Sequence, residues 1–243
     1  MTVVVILIVW EWLVRSGELS ALFFPAPSMI VQAFVRLLTS GKLITEVRIT
    51  LMRALLGLVL GGISGMVLGL LMGWSQKLRI LVDPFIAAAH PIPKIAILPL
   101  ILIIFGIGET SKVIVIAVAA FFPMLINTMA GVRNIHPIHF DVAKNYGASL
   151  RKTFSRVIVP GSLPLVLTGL RLAFNAVLLL TIAVELVVAQ KGLGRMIWFA
   201  WETMRTEELY VGLIVTAALG IGFNFVLHSI AKRLIPWRRT QIE

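Results

Sequence analysis

The sequence contains no cysteine among its 243 residues, and it has 11 acidic residues against 22 basic ones. Without cysteine, disulfides and thiolate metal sites are excluded. Charged residues of both signs make up only 14% of the chain, whereas 59% of the residues are hydrophobic and the mean hydropathy is +0.99. Because a soluble domain is only about half apolar, these values predict an integral membrane protein.

Two further absences limit the function. The chain has no G-x-x-x-x-G-K-[ST] loop, and its one Gly-Lys pair, Gly41 with Lys42, lacks the upstream glycine and the following hydroxyl, so the phosphate-binding loop of an ATPase is missing. The isolated Lys94 and Glu185 do not supply the paired catalytic groups that an intramembrane enzyme needs. The sequence therefore predicts no catalytic residue, no metal ligand and no cofactor bound by this chain.

The apolar runs suit helical spans of about 20 residues. They predict an all-α polytopic membrane protein of about six transmembrane helices, forming one domain over residues 1–243. Residues 1–47 hold a short first helix and an amphipathic segment, and residues 48–235 hold the core helices. No Lys or Arg precedes Arg15, unlike the basic start of a signal peptide, so we expect the first helix to be retained. The other spans are expected at about 49–73, 80–105, 113–132, 163–189 and 210–231.

Glycine recurs at every fourth position of the second span, at Gly57, Gly61, Gly65, Gly69 and Gly73. Small residues at this spacing let another helix backbone approach closely, as helices in lipid require. The pattern predicts a packing face; a surface that slides during a conformational change is the alternative.

The third span is interrupted by HPIPKIAILP. Pro91 and Pro93 remove backbone donors and disfavour helix at the preceding residues, so we expect a break near mid-bilayer. Irregular backbone at that depth is tolerated only inside protein or along a cavity, and transporters place substrate sites at such breaks. Lys94, in the break, either attracts an anionic solute or binds carbonyls freed by the prolines.

Other polar residues within the spans are candidates for the solute pathway. His90 either contacts solute or forms a structural hydrogen bond. Asn127 and Asn175 are neutral candidates whose alternative is interhelical hydrogen bonding. Glu185 either gates by pairing with Lys191 or Arg195, or holds a helix end. Together with the residues of the break, the predicted pathway set is His90, Pro91, Pro93, Lys94, Asn127, Asn175 and Glu185.

Half of the 22 basic residues fall in three regions that a six-span topology places on one side: 74–79, 131–156 and the tail from 231. The positive-inside bias makes that side cytoplasmic, so both termini are expected in the cytoplasm. The positive net charge is then explained by topology, and nucleic-acid binding is not predicted.

Residues 140–164, FDVAKNYGASLRKTFSRVIVPGSLP, form a polar and basic segment between two apolar runs. Their apolar positions follow helical spacing, which predicts a cytoplasmic helix over about 136–151 with an apolar face. From the residues alone, this face suits either the inner leaflet of the membrane or a protein partner. Gly147 lets the backbone turn sharply or another surface come close.

The pattern D-V-A-x3-G-x9-V-I-V-P in this segment resembles the E-A-A-x3-G-x9-I-x-L-P signature of permease subunits of binding-protein-dependent ABC importers. In that family the segment forms the coupling helix, which docks into a groove on the cytoplasmic ATPase subunit. Asp141, Val142 and Val159 replace the Glu, Ala and Leu of the signature but keep charge sign or apolar character. The resemblance implies that the ATPase-coupling residues are Asp141, Val142, Ala143, Tyr146, Gly147, Ala148, Ser149 and Leu150.

The stretches FFPAPS, HPIPKIAILPLILIIFGIGETSK and ELVVAQKGLGRMI are similar in order and spacing to permeases of the nitrate, sulfonate, taurine and bicarbonate branch. The resemblance implies the type I ABC importer permease (MetI-like) fold in the bacterial cytoplasmic (inner) membrane. It also implies a second permease copy in a homodimer, two ATPase subunits that bind ATP and Mg, a periplasmic or extracellular solute-binding protein, and membrane lipid as partners.

The implied function is the transmembrane permease of an ATP-driven importer for a small solute, an organic or inorganic anion such as a sulfonate, taurine or nitrate. Related permeases take up neutral or heterocyclic vitamins or precursors, which is the alternative substrate class. A secondary transporter is the rival class of protein; it is usually longer and has two related halves, and no convincing repeat is visible in this sequence.

Overall fold

A computed structural model describes residues 2–235, and in this range every regular element is helical, which confirms the all-α prediction. A 3-10 turn, Lys94–Ile97, precedes α5, and a π-helical turn, Phe154–Ile158, precedes α9. The α-helices in chain order are α1 Thr2–Arg15, α2 Pro27–Thr39, α3 Lys42–Trp74, α4 Gln76–Ala89, α5 Leu98–Phe105, α6 Glu109–Arg133, α7 Pro137–Asn145, α8 Leu150–Thr153, α9 Val159–Val188, α10 Leu193–Glu202 and α11 Thr206–Leu234.

These helices are distributed over two compact units. The first comprises the residues up to Met52 together with Thr181–Leu219, and the second comprises Arg53–Leu180 together with the described residues from Gly220. In the first unit, α2, the start of α3, α10 and the start of α11 share a core formed by Ile30, Ala33, Leu37, Leu43, Leu193, Met196 and Val211. The three α2 residues in this core recur at helical spacing, so one side of the predicted amphipathic segment is buried in protein, whereas Phe34 and Leu38 are exposed.

The start of α2 is held by a side chain from α1. Ala26, the residue before α2, has no side chain able to cap the helix. The Glu11 carboxylate takes that role, because it accepts hydrogen bonds from the Ser28 backbone N–H at 3.0 Å and from the Ser28 hydroxyl at 2.7 Å. Arg15 binds the same carboxylate at 2.6 Å. A negative charge at the start of a helix is stabilising. Because the Glu11 carboxylate belongs to α1, its hydrogen bonds also hold α1 against α2.

In the second unit, α3 and α6 lie against each other along the glycine face of α3. A Cβ atom added at each of the five fourth-spaced glycines would come against α6. At Gly61 it would overlap the carbonyl oxygen of Ala117, and at Gly69 it would lie 2.6 Å from the carbonyl oxygen of Leu125. At Gly61, Gly65 and Gly69 the nearest atom is a backbone carbonyl oxygen of α6, whereas at Gly57 and Gly73 it belongs to the side chain of Ile116 or Val132.

The third predicted span is broken, as the prolines indicate. α4 ends at Ala89, and the chain resumes with the 3-10 turn and α5 at an angle of 90° to α4. Pro84, by contrast, lies inside α4 without ending it. The break therefore falls at the Pro91 and Pro93 pair.

The segment after α6 differs from its prediction as one helix over about 136–151. α7 ends at Asn145, Gly147 adopts a left-handed backbone with φ +65°, and α8 begins at Leu150 after its Ser149 cap. A left-handed residue cannot continue a right-handed helix, so Gly147 divides the segment in two. From α8 the helical path runs through the π turn into α9, which contains Pro164.

The described residues contain four helical segments long and apolar enough to cross a membrane, at Lys42–Trp74, Glu109–Arg133, Leu150–Val188 and Thr206–Leu234. The bent pair of α4 with the helical residues 94–105 makes a fifth if it counts as one span. α1, expected as the first of about six spans, has 14 residues, or about 21 Å of helix, and is not among them. The end of the predicted basic tail, 236–243, lies outside the described residues.

Candidate functional site

A cavity of about 700 Å³ lies along the segment that joins α6 to α9. α7, the Gly147 turn and the helical turns after α8 form its walls. Its lining is apolar at Val142, Ala143, Ala148, Val157 and Pro160, and basic at Lys152 and Arg156. A concave surface of this composition can receive an apolar side chain flanked by a negative charge.

Large apolar side chains stand exposed beside this cavity. Tyr146 is 87% exposed and Leu150 is 74% exposed. Exposed apolar groups next to a concave surface are typical of interaction sites. Apart from its two chain neighbours, no described residue has an atom within 4 Å of the position a Gly147 Cβ would take, so this glycine is explained by its backbone conformation and not by crowding.

The predicted coupling residues divide into two groups around the cavity. Five of them line it, namely Val142, Ala143, Tyr146, Gly147 and Ala148. Ser149 instead accepts a hydrogen bond from the Lys152 backbone N–H at 3.4 Å and so starts α8. Asp141 and Leu150 are exposed and do not line the cavity.

Lys94 lies at the break between α4 and α5. Its ammonium group donates a hydrogen bond to the carbonyl oxygen of His90, at the end of α4. The same nitrogen lies 4.8 Å from the centroid of the Phe122 ring, and the His90 ring meets Phe122 edge-on at 5.5 Å. Lys94 forms no ion pair with a carboxylate of residues 2–235. A carbonyl and an aromatic face therefore hold this charge without neutralising it.

The remaining residues of the predicted pathway set do not form one cluster. Asn127 donates to the Pro123 carbonyl oxygen at 2.9 Å within α6, and its Cβ packs against Gly169. Asn175 is exposed on α9, and Pro91 and Pro93 are exposed at the break.

Glu185 is fully buried in the first unit. Its carboxylate accepts hydrogen bonds from the Thr50 hydroxyl, at 2.8 Å to Oε2, and from the Gly194 backbone N–H at 2.9 Å. The Thr50 oxygen in turn accepts from the Leu193 N–H at 2.8 Å, and the Glu46 carboxylate accepts from the Gly192 N–H. Side chains of α3 and α9 thus bind the first three N–H groups of α10, which otherwise lack partners.

Sequence reasoning missed an ion cluster in the second unit. The Arg53 guanidinium binds both oxygens of Glu109, at 2.6 Å and 2.7 Å, and Lys112 binds the same carboxylate at 2.7 Å. Arg53 and Lys112 are buried, whereas Glu109 is half exposed. Arg53 lies 56 positions before Glu109, so no local motif joins them; the position of Glu109 at the start of α6 was the available signal, because acids are favoured there.

Comparison with known proteins identifies similar sequences over nearly the whole chain. The profile of the family described as "Binding-protein-dependent transport system inner membrane component" matches residues 57–240. The taurine transport system permease protein TauC of Escherichia coli is 34% identical over 97% of this chain and 88% of its own length. Proteins named SsuC, aliphatic sulfonates transport permeases, are 33% identical in Bacillus subtilis, over 97% of this chain and 86% of their own, and 36% identical in E. coli, over 88% and 82%.

Solved structures show the same fold. A chain of the MetNI methionine ABC transporter in an inward-facing conformation superposes with a TM-score of 0.65 at 18% identity, covering 76% of this chain and 92% of that one. A chain of an amino acid ABC transporter gives a TM-score of 0.66 at 19% identity, covering 82% and 98%. At these identities the likeness establishes the type I permease fold and nothing finer.

Proposed function

The chain belongs to the family of inner-membrane components of binding-protein-dependent transport systems, and from this premise we propose that it forms half of the solute pathway of an ATP-driven importer of small sulfonate-type anions. The family is a transport component and not an enzyme, and membership in it excludes the secondary-transporter alternative. The observation that carries the proposal is similarity to sulfonate and taurine permeases over 88–97% of the chain.

The segment around Gly147 is the proposed contact with the ATPase subunit. Its cavity, lined by Val142, Ala143 and Ala148, lies beside the exposed Tyr146 and Leu150. We assign the exposed Tyr146 and Leu150 to contact with a protein and not with lipid, because they occur together with a concave surface that has basic walls. ATP and Mg are bound by that partner, so closure of two ATPase subunits would move this segment and, through the continuous helix, α9.

The complete importer contains two permease copies, a homodimer in our proposal, with a solute-binding protein at the outer face. Five basic residues within 131–156 and two within 74–79 support a cytoplasmic position for the α3–α4 and α6–α9 connections. The same bias supports cytoplasmic termini.

Lys94 supports an anionic solute. Its charge is held at the helix break by a carbonyl and a ring, and within the described range it has no carboxylate partner. Keeping a charged side chain at membrane depth costs free energy. An anion that passes the break would offset this cost. Pro91, Pro93 and His90 shape the same break. Glu185, in contrast, is fully buried and binds the start of α10, so we assign it a structural role and not contact with solute.

Substitution of Gly147 tests the coupling proposal. Gly147→Val places a β-branched residue at φ +65°, which strains the backbone by about 1–2 kcal/mol, and we expect uptake driven by ATP to fall by roughly tenfold. Gly147→Asn tolerates this conformation and should keep most of the uptake. The control is Gly17→Val, since Gly17 has φ +84° and equally open surroundings but lies far from the segment in sequence. Equal uptake by all three variants, or failure of the ATPase subunit to co-purify with the wild-type chain, would contradict the proposal.

Substitution of Lys94 tests the anion proposal. We expect Lys94→Gln to slow taurine uptake by about tenfold, equivalent to roughly 1.4 kcal/mol of lost attraction, while Lys94→Arg keeps part of the rate. Assembly with the ATPase subunit is measured in parallel for both variants. Wild-type uptake by a correctly assembled Lys94→Gln complex would show that Lys94 only stabilises the helix break and does not attract the solute.

A further inference from the structure

α4, in the second unit, has no buried residue, although together with residues 94–105 it is apolar enough to count as a bent span. Its half-buried residues follow one line along the helix, namely Leu78, Arg79, Val82, Ile86 and Ala89. This line is the side of α4 that faces the rest of the chain. The other two flanks of α4 are exposed, and they differ in chemistry.

One exposed flank is apolar. Leu81 is 68% exposed and Phe85 is 71% exposed, and at about 100° per residue they project about 40° apart on the same side of α4. Large apolar side chains of this kind suit contact with lipid.

The other exposed flank carries polar side chains beside the exposed Ile80. Gln76, Asp83 and His90 follow one another at seven-residue intervals, and all three are exposed. Seven residues are close to two helical turns, so the three side chains form a stripe with steps of about 10.5 Å. Asp83 forms no ion pair within residues 2–235. The upper end of the stripe, His90, gives its carbonyl oxygen to Lys94.

A carboxylate facing hydrocarbon is costly, and acids in membrane spans face protein or water. Contact with α4 of a second copy does not remove this cost. Two copies with the same orientation in a membrane are related by an axis along the membrane normal, so a symmetric contact sets Asp83 against Asp83 at the same depth, where like charges repel. Contact with water carries neither of these two costs.

We propose that the polar stripe Gln76, Asp83 and His90 of α4 lines the inner half of the solute pathway, between the Lys94 break and the cytoplasmic end of α4, with Asp83 as its charged wall. The inference rests on the proposed function, because it takes α4 to be part of a permease whose α3–α4 connection is cytoplasmic. The pathway then has charges of opposite sign in succession, Lys94 at the break and Asp83 below it.

The absence of cysteine from the chain makes a direct test possible. Single-cysteine variants of the polar stripe, Gln76→Cys, Asp83→Cys and His90→Cys, are compared with Leu81→Cys and Phe85→Cys on the apolar flank. The assembled complex in inside-out membrane vesicles is treated with two water-soluble methanethiosulfonates, one carrying a trimethylammonium group and one carrying a sulfonate. We expect the stripe variants to be labelled and the apolar-flank variants to remain unlabelled.

The charge of Asp83 gives a second readout. At Gln76→Cys the cationic reagent should react faster than the anionic one by about tenfold, because a negative wall concentrates cations, and adding Asp83→Asn should remove this preference. Equal labelling of the two flanks, an unlabelled stripe, or a disulfide between two Asp83→Cys copies under mild oxidation would overturn the inference. ATP-dependent taurine uptake by the wild-type complex is measured separately, and its absence counts against the proposed function. The labelling pattern tests only whether the polar stripe of α4 lines the pathway.

Discussion

Thr50 is a single residue whose hydroxyl joins three helices. It lies on α3, donates to Glu185 on α9 and accepts from the N–H of Leu193 at the start of α10. It is fully buried, so neither bond can be replaced by bulk water. Glu46 and Glu185 bind the neighbouring N–H groups. The start of α10 is therefore positioned by side chains of α3, which is distant in sequence, and of α9, which directly precedes it.

We expect Thr50→Val to destabilise the protein by about 1–3 kcal/mol, because it leaves the buried Leu193 N–H without its acceptor. At roughly 2–4 °C per kcal/mol for a chain of this size, the fall in Tm is measurable by thermal unfolding in detergent. Thr50→Ser keeps the hydroxyl and should lose less. The control is Thr45→Val on the same helix, since Thr45 is exposed and binds only the Gly41 carbonyl oxygen at 3.0 Å. A Thr50→Val protein as stable as wild type would refute the anchoring role of this hydroxyl.

At the scale of elements, the contact between α3 and α6 depends on which glycines face the partner helix. A Cβ at Gly61 would overlap the Ala117 carbonyl oxygen, whereas a Cβ at the next residue, Gly62, would have only Met124 Cγ nearby, at 3.7 Å. Neighbouring glycines of one helix thus have different functions. Backbone atoms at such a contact cannot rotate away as a flexible side chain can.

We expect Gly61→Ala to lower stability by about 1–3 kcal/mol through overpacking. Gly62→Ala should be neutral or stabilising, because alanine favours helix over glycine by about 1 kcal/mol. Thermal unfolding of the two variants side by side provides the measurement. The reverse order of stability would show that α3 and α6 are not packed through Gly61.

Several elements could be predicted from the sequence, and their limits have physical causes. The glycine spacing and the proline pair are local patterns, so the close-packing face of α3 and the break before α5 follow from them. A sharp turn at Gly147 was one of two possibilities that the sequence allowed, but one helix over about 136–151 was predicted, because apolar spacing alone does not distinguish one helix from two that meet at a left-handed residue. The Arg53 and Glu109 pair and the cap of α10 depend on tertiary neighbours, which no periodicity reports.

At the scale of the whole molecule, the described residues supply four spans, or five with the bent pair. The positions of the basic residues predict which connections are cytoplasmic. Because the chain has no cysteine, single cysteines report the side of the membrane directly. We expect Ser75→Cys and Ser149→Cys to resist a membrane-impermeant maleimide in intact cells, and Gln190→Cys and Thr203→Cys to react.

Opening the cells should expose Ser75→Cys and Ser149→Cys to the same reagent, which controls for burial at these positions. Reaction of Ser149→Cys in intact cells would invert the proposed topology, and the ATPase contact would then be impossible at that segment. The measurement thus tests orientation independently of transport.

The π-helical turn at Phe154–Ile158 lies between the segment proposed to meet the ATPase and the long helix α9. A π turn closes each hydrogen bond one residue later than an α turn, so it holds one residue more than a regular helix would over the same rise. Each residue contributes about 100° of rotation. The extra residue therefore sets the direction in which α7 and α8 project from α9: deleting Ser155, which does not line the cavity, would restore regular helix there and rotate α7 and α8 by about that angle around the axis of α9.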